Sequence, residues 1–281
     1  MQRLKKLIVV LMAVVMACVC SVTLFGCAKE DIKKMEVKIA VYNFESSGTT
    51  ETYTMSIDLY RHLAPNTVDA IVKYVNEGYY NNKVFYKDAA YSNQLMIGDL
   101  RFTAGETENS GFSLDEKPAI EGEFKYGGTT GSNLTAKKGS IGLWRSWLAQ
   151  DEIYKDNRNA TDTGRATWFI PTTSISSYND YFCIFAQYDV NDSGNADAIA
   201  ALTDVFDSSA NYEEYVIYYT GEYENLTFNC VAKEDFDEES LGDDLFKPEG
   251  AQLMCYHHYT VRVPMHEGDV AAKIVSAKIV G

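Results

Sequence analysis

Short runs in which apolar and polar residues alternate constrain this chain more than any other feature. Met35–Asn43 and Thr50–Leu59 both read as half-buried strands, with Ser46-Ser47-Gly48 as the turn between them. Further strand-like runs are Lys83–Tyr86, Gln94–Ile97, Gly139–Trp144, Thr167–Pro171, Phe182–Gln187, Tyr259–Val263 and Ala272–Val280. Helical spacing is clear at Val68, Ile71, Val72 and Val75, with Asn66 as the expected N-cap and Gly78 as the stop. A second helix is expected over Ala196–Val205. Many short strands with few helices predict a mainly β fold, a barrel or a sandwich. The 20 tyrosines suit strands. Two stretches read as insertions. One, about 146–164, is polar with scattered charges; the other, about 207–255, is acidic and Tyr-rich.

The N-terminus sets the compartment. Arg3, Lys5 and Lys6 precede an apolar run from Leu7 to about Phe25, followed by Gly26-Cys27. This is the layout of a secretory signal peptide over residues 1–26. Its end, Leu24-Phe25-Gly26-Cys27, resembles a bacterial lipobox, which makes Cys27 the lipidated first residue of the mature chain. The alternative is an uncleaved anchor, since about 19 apolar residues can span a bilayer. Both readings put the rest of the chain outside the cytoplasm, tethered to a membrane. Residues 27–34 are then a tether and 35–281 one folded domain. Without the signal, 22 basic side chains face 40 acidic ones, a formal charge of −18. Such a surface disfavours nucleic acid and anionic lipid, so attachment falls to the anchor. Cys183 sits in an apolar run and reads as a buried small hydrophobe, while Cys230 and Cys255 are candidates for a disulfide that an exported compartment permits.

Several segments stand in a telling order. They are Ser56-Ile57-Asp58-Leu59-Tyr60, Ala64-Pro65-Asn66-Thr67-Val68, Val84-Phe85-Tyr86-Lys87, Gly98-Asp99 and Ile120-Glu121-Gly122-Glu123-Phe124. Next come Lys138-Gly139-Ser140-Ile141-Gly142-Leu143-Trp144-Arg145, Ala166-Thr167-Trp168-Phe169-Ile170, Ile184-Phe185-Ala186 and Ile274-Val275-Ser276-Ala277-Lys278-Ile279. In this order they resemble the cyclophilin-type peptidyl-prolyl isomerases, over about residues 36–205 and 258–280. The resemblance implies a closed eight-stranded antiparallel β-barrel capped by two α-helices, with the two insertions added. It implies rotation about Xaa-Pro bonds, with no cofactor and no metal.

The resemblance also assigns roles. Lys87 stands at the position of the family's arginine, which donates to the proline nitrogen; an ammonium is a mobile point charge where the guanidinium is a planar fork. Phe169 stands at the aromatic floor of the proline pocket. The glutamine position falls on Met96, but the interval from Lys87 to Asp99 is one residue longer than usual, so Gln94 is the alternative. Trp144 takes a wall position normally held by a small alanine. Thr167 is placed at the pocket, Phe182 at a histidine position, and the rim aromatic near Ser177 or Tyr178. Two functions follow. One is a monomeric, membrane-tethered prolyl isomerase acting on unfolded or proline-containing exported polypeptides. The other is an inactive module that binds such segments. Asp189–Asp197 looks like half of a calcium loop but reads better as a turn into a helix, because Ala200 stands where a ligating Glu belongs.

Overall fold

The computed structural model describes residues 31–45, 47–115, 117–125, 134–145, 164–221, 227–242, 245 and 258–280. β1 (Ile32–Tyr42) buries Met35, Val37, Ile39 and Val41, and β2 (Thr50–Tyr60) buries Met55, Ile57 and Leu59. The two pair antiparallel from Ile32↔Tyr60 to Tyr42↔Thr50, so their apolar alternates share one face. The expected tether therefore gives up Ile32-Lys33-Lys34 to β1.

The remaining elements of the main sheet are β4 (Gln94–Ile97), β7 (Ser140–Leu143), β8 (Trp168–Pro171), β9 (Cys183–Gln187) and β14 (Ala272–Ile279). Seven strands run in one antiparallel path, β14–β1–β2–β9–β7–β8–β4. Both ends of that path meet the same segment. Val84 bridges Lys273 of β14, and Tyr86 bridges Met96 of β4. The expected closed eight-stranded barrel is thus met in part: seven strands form a curled sheet, and isolated bridges from residues 83–86 stand where an eighth strand was expected.

Two twelve-residue helices pack on the sheet, α1 (Pro65–Asn76) and α2 (Ser193–Asp204). Thr67, Val68, Ile71, Tyr74 and Val75 form the buried face of α1. Its N-cap is Ala64, not Asn66, because Pro65 takes the first helical turn. The free N–H groups of Asn66 and Thr67 instead donate to the carboxylate of Glu123, each at 2.8 Å. A distant anion thereby does the work of a local cap. At α2, Asp192 caps through Asn195 N–H, in line with the expected turn into a helix.

The second expected insertion builds structure of its own. β10 (Tyr212–Thr220) and β11 (Thr227–Ala232) form a hairpin, and β10 also pairs with β12 (His258–His266). β13 (Asp269–Val270) and the two-residue β3 (Lys87–Asp88) add to β12. The acidic residues around Tyr215, Val216 and Ile217 mask a buried strand core. Residues 146–163 of the first expected insertion lie outside the described residues, as do Cys27 and Cys255. A further small pair is β5 (Leu100–Phe102) with β6 (Phe112–Leu114).

Two apolar clusters result. One joins Val37, Ile39, Leu95, Ile97, Trp168 and Ile170 to the helices. The other holds Met96, Phe169, Phe182 and Ile184 from the opposite face of the same strands, because successive strand residues point to opposite sides. Tyr215, Ile217, Val261 and Val263 of the second sheet belong to that cluster and cover it. Among the described residues, no helix is long and apolar enough to cross a membrane.

Candidate functional site

The face under the second sheet carries all but one of the expected pocket residues. Met96 lies opposite Phe169 in the β4–β8 ladder, and Gly142 lies opposite Phe169 in β7–β8. A Cβ at residue 142 would stand 2.3 Å from the Phe169 ring. The missing side chain is what lets that ring lie across β7.

Around Phe169 the aromatic rings close up. Phe182 stands edge-on to it at 5.4 Å and Tyr178 at 5.4 Å. The Trp144 indole stacks on Phe182 at 5.2 Å with an interplanar angle of 18°, and meets Phe169 edge-on at 6.0 Å. Phe169 has no exposed surface, and Phe182 and Met96 are each 2 % exposed. Thr167 is buried beside them, its carbonyl accepting from Trp144 N–H at 2.8 Å. Trp144 is the half-buried member, with Tyr91 at 6.0 Å as its outer neighbour. An open proline pocket would need an empty apolar hollow on Phe169. Here Trp144, Tyr178 and Phe182 fill that space.

Gln94 lies in the same layer, also fully buried. Its Nε2 donates to the Met96 thioether at 3.3 Å, and its amide interacts with the Tyr178 hydroxyl. Its Oε1 has no hydrogen-bond partner among the described residues. A buried polar atom left unmet costs about 1–3 kcal/mol.

Lys87 lies elsewhere. Its backbone pairs with Arg262 of β12, and its ammonium sits 4.7 Å from the centroid of the Phe206 ring, a member of the other cluster. Burial lowers its pKa, Asp207 opposes that shift, and Arg262 adds to it. The neighbour that does face Met96 is Tyr86, whose hydroxyl donates to Asp99 Oδ1 at 3.2 Å. The cation nearest the rings is Arg145. Its guanidinium carbon lies 4.0 Å from the Phe124 ring centroid and 5.5 Å from that of Phe182, with Nε donating to the Tyr181 carbonyl at 2.5 Å. Burial lowers its pKa to about 10. Sequence reasoning gave no role to Tyr86, Tyr91 or Arg145. Strand alternation from Met96 and its bridge partner is the signal that finds Tyr86. Cys230 is fully buried, and burial pushes its thiol up to about 12.

The sequence profile described as "Cyclophilin type peptidyl-prolyl cis-trans isomerase/CLD" matches residues 46–218. Among solved structures, a cyclophilin type peptidyl-prolyl cis-trans isomerase of Cryptosporidium parvum is similar at 14 % identity. The match covers 62 % of this chain and 88 % of that one, with a TM-score of 0.36. No curated protein matches.

Proposed function

The chain belongs to the cyclophilin-type peptidyl-prolyl cis-trans isomerase family, and from that premise we propose that it binds Xaa-Pro segments of exported polypeptides at a membrane surface and isomerises them slowly. The observation that carries this reading is the filled pocket: Trp144 stacked on Phe182 above a fully buried Phe169. Rotation about a prolyl bond faces a barrier of about 18–20 kcal/mol. An enzyme lowers it by stabilising the twisted amide, chiefly with a donor aimed at the proline nitrogen. Lys87, at the family's arginine position by resemblance, is engaged on Phe206. Arg145 is held over Phe124 and Phe182. A site with apolar surface but no aimed donor favours holding over turnover.

The test follows cis–trans exchange of a blocked Ala-Ala-Pro-Phe peptide with the full chain. Expected are measurable binding and a kcat/KM roughly a hundredfold or more below that of a family member with an aimed arginine, the usual consequence of losing one such donor. Neither binding nor acceleration would overturn the reading. A purely binding role is the second reading, favoured by the position of the Lys87 ammonium. The membrane-surface part rests on Arg3, Lys5, Lys6, the apolar run and Cys27. In a bacterial host, Cys27→Ala is expected to abolish lipid labelling; unchanged labelling would remove the lipid anchor.

A further inference from the structure

We infer that the hollow between the turn end of the β1–β2 hairpin and α2 is a second binding site, one that takes a basic side chain, arginine above all, presented by a polypeptide. The site shares no residue with the prolyl pocket and goes beyond the reading above. Two observations carry it independently.

The first is the build of the hollow. It measures about 420 Å³, enough for a short peptide segment rather than a single ion, and the buried Val41 and Val205 lie at its base. Tyr42, Phe44 and Tyr53 bring half-buried rings from the hairpin side. On the helix side Asp197, Ala200, Ala201 and Asp204 follow the i, i+3, i+4, i+7 spacing of one face of α2. Alternation along β2 shows what is unusual. Leu59, Ile57 and Met55 point into the core, and Tyr53 and Glu51 continue the same row, with Glu51 opposite the buried Val41. A strand that served only to pack on α2 would gain more from an apolar residue at 51. A carboxylate stands there and lines the hollow.

The second is unbalanced charge. Glu45, Glu51, Asp197 and Asp204 line the hollow, and among the described residues no lysine or arginine does. Glu51 accepts from the Tyr53 hydroxyl at 2.7 Å and from the Ser47 hydroxyl at 3.0 Å, which positions the carboxylate without neutralising it. Asp204 ends α2, at the negative pole of a helix whose last turn carries no basic residue. Burial first, then the charges of Asp207 and Glu45, raise its pKa. A carboxylate so placed is disfavoured in the free protein and gains most from an arriving cation. Among the described residues no three acidic, histidine or cysteine side chains gather closely enough to hold a metal ion. An elongated organic cation suits this spread. A guanidinium lies flat on an aromatic ring and forks to a carboxylate, and its stem covers apolar surface such as Val41 and Val205.

The experiment titrates the full chain, at low salt, with acetyl-Ala-Arg-Ala-amide and with the same peptide carrying citrulline, which keeps the shape and loses the charge. Neither peptide contains proline, so failure here leaves the prolyl reading standing. Calorimetry gives the affinity, and backbone amide NMR shifts locate the site. The arginine peptide is expected to bind about tenfold or more tightly than the citrulline peptide, moving the amides of Tyr42, Phe44, Tyr53 and Ala201. Glu51→Gln and Asp204→Asn are each expected to weaken it about threefold to tenfold. Asp204→Asn should at the same time raise Tm by about 1–4 °C, because it removes a negative charge from the negative end of α2. Opposite signs on stability and binding mark a group kept for a ligand. Free L-arginine, which lacks the flanking backbone, is expected to bind more weakly; binding as tight as the peptide's would overturn the polypeptide as its source. Equal affinity for the arginine and citrulline peptides, or no binding of either, would overturn the site. So would arginine binding that both variants leave unchanged, since the cation would then be held elsewhere on the acidic surface.

Discussion

Tyr86 and Lys87 are neighbours in sequence, and their side chains belong to different clusters. In an extended chain a shift of one residue moves a side chain to the opposite face. The resemblance matched Lys87 to the family's arginine, while the interval from Lys87 to Asp99 is one residue longer than usual. Phe169, Met96, Gln94, Trp144, Phe182, Tyr178 and Thr167 come from β4 and β8, the residues flanking β7 and β8, and the turn before β9, all on strand-like runs or beside them in the sequence, and these do meet. Lys87→Ala removes a cation from the Phe206 ring and the packing of its stem. We expect Tm to fall by about 1–4 °C, with isomerisation changing no more than the folded fraction does. A hundredfold loss of rate at unchanged Tm would show instead that the ammonium reaches the bound proline.

At the scale of elements, strands were legible to within a few residues, whether alternating (β1, β2) or continuously apolar (β4, β8, β9): these and β14 all lie on expected runs. Less legible was whatever depends on partners far along the chain. The strand β10 is rich in Glu and Tyr and gains its burial from Phe112, whose ring meets Tyr215 at 4.7 Å, and from the face of the curled sheet that carries Met96, Phe169 and Ile184. Alternation inside an acidic segment gives no hint of such a partner. The cap of α1 is a second case. Local sequence offers Asn66, yet the donors of residues 66 and 67 go to Glu123, 57 and 56 positions away. The carboxylate accepts two N–H groups at the positive end of the helix and is itself 7 % exposed. Glu123→Ala strands both donors, and a loss of about 1–2 kcal/mol is expected, read as a lower midpoint in urea with an unchanged m-value. An unmoved midpoint would mean that water replaces the carboxylate at no cost.

For the whole molecule, the pH dependence of stability between pH 8 and pH 10 combines the buried Lys83 with several buried phenols. The Lys83 side chain is fully buried, with its ammonium 3.2 Å from Asp115 Oδ2 and 3.0 Å from the Asp99 carbonyl. Burial first, and the charge of Arg101 second, lower its pKa to about 8, although Asp115 and Asp99 pull the other way. In an unfolded chain a lysine titrates near about 10.4. Between those values the unfolded state holds more protons than the folded one, so stability rises with pH. Below about pH 8 both states are protonated and the penalty of burying the charge is present in full. The phenols set the upper limit. Burial raises Tyr80, Tyr86 and Tyr259 well above their ordinary value near 10. Above about pH 10 the unfolded chain gives up those protons first, and stability is lost. Repulsion within a chain of formal charge −15 also works against the folded state, and about 0.3 M salt shortens its range enough to expose the Lys83 effect. Under that salt, the urea midpoint of wild type should climb from pH 8 to pH 10 and then fall. Lys83→Met should start with a higher midpoint near neutral pH, if the methionine stem fills the same space, and show no climb. A wild-type midpoint that declines steadily from pH 7 to pH 10 would mean that Asp115 and Asp99 hold the Lys83 proton more tightly than burial expels it.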